Sequence, residues 1–106
     1  MVERTIQLNA VFSALADPTR RDILKRVSKE ELSISTLAEP YRLSFAAIAK
    51  HITALETAKL ITKRRDGKKQ FVCIVPKTIE IASRHLEKYE QLWQARFDAL
   101  DSLLKE

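Results

Sequence analysis

Six basic side chains crowd into residues 59–69: Lys59, Lys63, Arg64, Arg65, Lys68 and Lys69, against a single acid, Asp66. Ammonium and guanidinium groups at that density bind anions, and a run of backbone phosphates is the anion they suit. A hairpin kept soluble by charge is the plainer alternative for the same cluster. The chain offers little competing chemistry. It has no nucleophile–base pair, no carboxylate pair with a plausible cleft, and one glycine, which leaves no room for a phosphate-cradling loop. An enzyme is therefore not expected.

The elements that must position this cluster follow from periodicity. Leu8, Val11, Phe12 and Leu15 predict an amphipathic helix over 5–15. Asp17-Pro18 reads as an N-cap followed by proline at the first helical position. The next helix carries Ile23, Leu24 and Val27 on one stripe, with Arg20, Arg21, Lys25 and Arg26 on its exposed face. Ser35 is the expected N-cap of a brief third helix, cut short near Pro40. Ser44 is the expected cap of a fourth, whose Ala47, Ile48, His51, Ile52 and Leu55 keep a 3.6 period. After Lys59 the period becomes two. Asp66-Gly67 predicts a hairpin, and Phe71 to Val75 suits the returning strand, ended by Pro76.

Residues 78–105 then predict one long helix, with Ile79, Ala82, Leu86, Tyr89, Trp93, Leu100 and Leu103 in a heptad-like pattern widened by Leu92, Phe97 and Leu104. So wide a stripe calls for packing against another chain. Residues 80–106 hold six acids and four bases, so the positive excess of the chain sits in the hairpin.

The whole is expected to be mostly α with a small β-hairpin wing: a winged helix-turn-helix with a long C-terminal helix that packs against a partner chain, the dimerisation helix of the family resemblance given below. It reads as one domain over 1–106, with a DNA-binding core at 5–76 and the C-terminal helix at 78–105. In this layout the second helix of the pair enters a major groove about 12 Å wide, and the wing reaches the flanking backbone. The length of 106 residues and the net charge of +5 fit a small domain with an anionic partner. Cys73, the sole cysteine, allows no internal disulfide and is expected to be a small buried hydrophobe. No signal-like or membrane-spanning run is present, so a cytoplasmic location with no membrane partner is expected.

Two stretches resemble the ArsR family of bacterial winged-helix repressors: Ala14-Leu15-Ala16-Asp17-Pro18-Thr19-Arg20-Arg21-Asp22-Ile23-Leu24, and Leu37 through Ile61 with Asp66-Gly67-Lys68 after it. The resemblance covers roughly residues 8–75. It implies a homodimeric, dissociable repressor on a palindromic double-stranded operator, with the first and last helices as the dimer interface. Leu8, Phe12, Leu86, Tyr89, Trp93, Phe97, Leu100 and Leu103 are the residues it places there. Phe45, Ala46, Ala49 and Lys50 match the base-reading positions. Lys50 suits guanine O6 or N7, and Phe45 or Ala46 a thymine methyl. Ser44 is expected to cap and to touch phosphate. His51 matches a position facing the DNA backbone, with a half-buried structural histidine as the alternative. Arg64, Arg65, Lys68 and Lys69 are expected on phosphates or in the minor groove.

The chain departs from the family pattern at Arg42 and Lys59, where glycine is common, at Ala46, where proline is frequent, and at Ala49, where serine is. Arg42 and Lys59 are therefore expected in a backbone shape that glycine reaches more cheaply. Ser33 and Ser35 stand where a metal sensor carries thiolates, and the last helix has only His85, so no metal or other cofactor is expected. The signal would then be a small-molecule inducer, a protein, or concentration alone. A winged-helix protein-interaction module that reads no DNA is the alternative function.

Overall fold

Short polar side chains set the helix starts. In the computed structural model, which describes the backbone of residues 2–105 and the side chains of residues 8–105, α1 spans Val2–Leu15 and α2 spans Pro18–Val27. Asp17 is extended and accepts from the Arg20 backbone N–H at 3.0 Å, with Pro18 opening the helix. β1 is Leu32–Ser33 and α3 is Ile34–Ala38. The cap of α3 is Ser33, not the expected Ser35: Ser33 Oγ accepts from Thr36 N–H at 3.2 Å. A cap reaches the N–H three positions on, and Ser33 is the last extended residue, so Ser35 already lies in the first turn.

α4 spans Phe45–Thr57, capped as expected by Ser44 Oγ on the Ala47 N–H at 3.1 Å. It ends in a Schellman arrangement. Leu60 N–H donates to Leu55 C=O and Lys59 N–H to Glu56 C=O, with Lys59 at φ 62°. Among the described residues Lys59 is the only non-glycine with positive φ. Arg42 therefore does not take the glycine-like shape expected of it. The bend between α3 and α4 is closed by Tyr41 N–H on Ala38 C=O and uses no left-handed residue.

β2 is Ile61–Asp66 and β3 is Lys69–Ile74, paired antiparallel with Asp66 opposite Lys69. Gly67, at φ 63°, opens the two-residue connection. The wing is more than a hairpin, because β1 adds to the other edge of β3 in the order β1-β3-β2. Two residues are too few to show a period, which is why the sequence does not announce β1. Pro76 begins α5, Pro76–Lys105, as well as ending the strand region. No helix among the described residues is long and apolar enough to cross a membrane.

The core lies where α1, α2, α3 and α4 meet the inner face of the sheet. Ile23, Leu37, Ile48, Leu55, Leu60 and Val72 are all fully buried there. Several arginines of α2 finish their neighbours' backbones instead of standing free. Arg20 Nε donates to Ala14 C=O at 2.7 Å, Arg21 to Leu15 C=O at 2.8 Å, and Arg26 to Leu37 C=O at 2.8 Å. These are carbonyls at the C-terminal ends of α1 and α3, where a helix lacks partners and carries partial negative charge. Beyond Ala82, α5 leaves the core, and none of its described residues is buried.

Candidate nucleic-acid interface

The 3.6 period of α4 sends Ile48, Ile52 and Leu55 inward and leaves an outward face of different chemistry. Phe45 is 66% exposed, Ala46 and Lys50 are exposed, and Ala49 is half-buried beside them. An aromatic ring, two methyl groups and an ammonium so placed can touch thymine methyls and donate to guanine. Ser44 stands exposed at the helix start, where backbone N–H groups and the helix dipole favour an anion. Leu43, 42% exposed, adjoins this face, and nothing in its sequence context singles it out.

His51 points the other way. Its ring is half-buried, with Nδ1 3.5 Å from Arg20 Nη1 and 3.8 Å from Asp17 Oδ2. These contacts place the ring beside the N-cap and first turn of α2. The Arg20 backbone N–H, with smaller help from His51 and the Arg20 guanidinium, holds the Asp17 carboxyl below the usual carboxylate range.

The wing divides its cations between two faces. Val72 is buried in the core and lies opposite Lys63, so Lys63 is on the inner face, where its Nζ meets Glu56 of α4 at 3.3 Å. By alternation Arg65 belongs to that inner row, and Arg64 to the outer one with Thr62, Phe71 and Cys73. Arg64 Nη2 donates to Glu31 Oε2 at 2.6 Å, and its guanidinium lies 5.0 Å from the Phe71 ring centroid. Cys73 Sγ donates to Glu31 Oε1 at 3.2 Å. Cys73 is thus not the buried hydrophobe expected of it: it is partly exposed, because residue 73 falls on the outer side of β3. The Arg64 hydrogen bond holds the Glu31 carboxyl low, and burial followed by Glu31 pushes the Cys73 thiol up. At the tip, Lys68 and Lys69 are exposed and have no ion pair among the described residues, while Arg65 reaches only Gly67 C=O at 3.3 Å.

The apolar residues expected at a subunit interface fall on one side. Phe12 of α1 meets His85 of α5 at 6.3 Å between ring centroids, and His85 meets Tyr89 edge-on at 5.6 Å. Leu8, Asn9 and Leu86 complete the walls of the cleft between these helices. Leu86, Tyr89, Trp93, Phe97, Leu100 and Leu103 continue along α5, each more than half exposed. The two serines at the possible metal position, Ser33 and Ser35, have their hydroxyl oxygens 3.4 Å apart, and Ser33 is occupied in capping.

Known proteins share this fold. A helix-turn-helix domain family matches residues 15–64. The transcriptional repressor SdpR of Bacillus subtilis is 35% identical over 65 residues, covering 61% of this chain and 70% of that one. Among solved structures, an ArsR family transcriptional regulator superposes with a TM-score of 0.77 at 34% identity, over 83% of this chain and 97% of its own. An ArsR-like transcriptional regulator from Rhodococcus superposes with a TM-score of 0.75 at 30% identity, over 95% of each chain.

Proposed function

The chain belongs to the ArsR family of winged helix-turn-helix transcriptional regulators, and from that premise we propose that it is a homodimeric repressor of a palindromic operator, released by a non-metal signal. One observation carries the reading. A helix capped at its exposed start by Ser44 presents Phe45, Ala46, Ala49 and Lys50 outward, beside a wing whose tip lysines have no ion pair among the described residues. Ser44 to Lys50 select the sequence, and Arg65, Lys68 and Lys69 supply phosphate affinity. The two copies join through α1 and α5, with Leu8, Phe12, Leu86, Tyr89, Trp93, Phe97, Leu100 and Leu103 between them. Two-fold symmetry then sets half-sites about one helical turn apart. Residues 1–106 act as one unit, with 5–76 on DNA and 78–105 holding the dimer.

The test is fluorescence anisotropy with the promoter of its own operon against random DNA of equal length. Lys50→Ala is expected to cost about 1–3 kcal/mol on the operator and to relax specificity. Lys68→Ala is expected to weaken both DNAs alike and to lower the salt slope by about 1. Equal affinity of the unaltered protein for both DNAs overturns the reading in favour of a protein-interaction module.

A further inference from the structure

Among the cations of the wing, Arg64 is built into a cluster of its own. Its strand neighbours Lys63 and Arg65 lie on the inner row, and strand alternation turns Arg64 to the outer face, away from α4. There the antiparallel register, with Leu32 opposite Val72, sets Glu31 just beyond β1 and across from Cys73. The Glu31 carboxylate uses both oxygens. Oε2 accepts from Arg64 at 2.6 Å and Oε1 from the Cys73 thiol at 3.2 Å. Phe71, directly opposite Arg64 in the ladder, places its ring 5.0 Å from the guanidinium centre. All three strands at this end of the sheet are therefore tied together by a carboxylate, a guanidinium, a thiol and an aromatic ring.

We infer that Glu31 and Arg64 are positioning residues that pin the outer face of the wing to β1, so that Arg64 adds nothing to phosphate binding while Arg65 and the tip lysines do. This rests on the proposed DNA-binding reading and deepens it. The wing is a narrow two-stranded ribbon beyond β1, since β1 pairs only with Phe71 and Val72. Its angle to α4 decides whether Lys68 and Lys69 reach the backbone that flanks the recognition helix. A pin at the root of the ribbon sets that angle from the face opposite α4. The Lys63–Glu56 pair does the same from the face toward it.

The experiment is a salt titration of operator binding for the unaltered protein and for Arg64→Gln, Glu31→Gln, Arg65→Gln and the Glu31→Gln/Arg64→Gln double variant. Removing one phosphate-binding cation lowers the slope of log K against log salt by about 0.9. Arg65→Gln is expected to show that drop and Arg64→Gln to leave the slope unchanged, a readout that a change in fold stability does not mimic. Glu31→Gln and Arg64→Gln are each expected to weaken binding by about two- to five-fold at fixed salt, the scale of one partly exposed pair. The double variant is expected to be no weaker than either. A slope drop in Arg64→Gln equal to that of Arg65→Gln overturns the inference, as does additive weakening in the double variant. Loss of operator preference in the unaltered protein fails the DNA reading instead, so the two failures are distinct.

Discussion

The body of the molecule and the outer part of α5 use apolar residues in opposite ways. Up to Ala82 the chain closes a core in which Ile23, Leu37, Ile48, Leu55, Leu60 and Val72 have essentially no contact with water. Beyond Ala82 comparable side chains stand open, with Trp93 at 58% and Leu104 at 77% exposure. A helix of thirty residues runs about 45 Å, further than the small body can cover, and the molecule extends 66 Å along its longest axis. The body is finished by its own chain, and in the dimer proposed above a second copy would finish the helix. On that proposal, side chains of the same type report stability in one region and affinity in the other.

The sharpest test sets one substitution against another. Leu55→Ala, in the buried face of α4, is expected to destabilise the body by about 2–5 kcal/mol in urea unfolding, since it leaves a cavity at a fully buried site. Trp93→Ala is expected to raise the dimer dissociation constant about 30-fold, on the order of 2 kcal/mol, in sedimentation equilibrium. The unfolding of the monomeric body at low protein concentration stays unchanged in that variant. If Trp93→Ala unfolds the body and leaves self-association alone, the division between the two regions fails.

A smaller effect belongs to the body alone. Asp17 and Glu31 are both held below the usual carboxylate range, by the Arg20 backbone N–H and by the Arg64 guanidinium respectively. A depressed folded pKa means that their contribution to stability is complete above the unfolded value of about 4 and is lost as pH falls through the folded one. Urea midpoints measured between pH 6 and 2 are expected to fall on the acid side, and to fall less in an Asp17→Asn/Glu31→Gln variant. Asn keeps the cap at position 17 without a charge to titrate. An unchanged acid limb in that variant would locate the sensitivity elsewhere.

Much of the body is legible in the sequence because its signals are local. The Asp17-Pro18 start, the Ser44 cap and the Asp66-Gly67 turn each depend on a few adjacent residues, and each stands where its chemistry requires. Lys59 at positive φ is legible too, through the glycine that commonly fills its place. Ser33 and Ser35 are harder to tell apart, because two hydroxyls two residues apart look alike until the strand end is known. Among the candidate interface residues, the outward set on α4 follows directly from the period of its buried face. His51 does not, because the Asp17 and Arg20 groups it faces are more than thirty residues away.

By itself the sequence determined the order of elements, the amphipathic faces and the concentration of positive charge in the wing, all set by spacing of a few residues. Tertiary structure alone decided what that charge is free to do. Arg20, Arg21 and Arg26 cap carbonyls of neighbouring helices, Lys63 meets Glu56, and Arg64 meets Glu31. The physical reason is distance. A guanidinium is committed by whichever carbonyl or carboxylate the fold brings within about 3 Å, and no periodicity in the chain records that meeting.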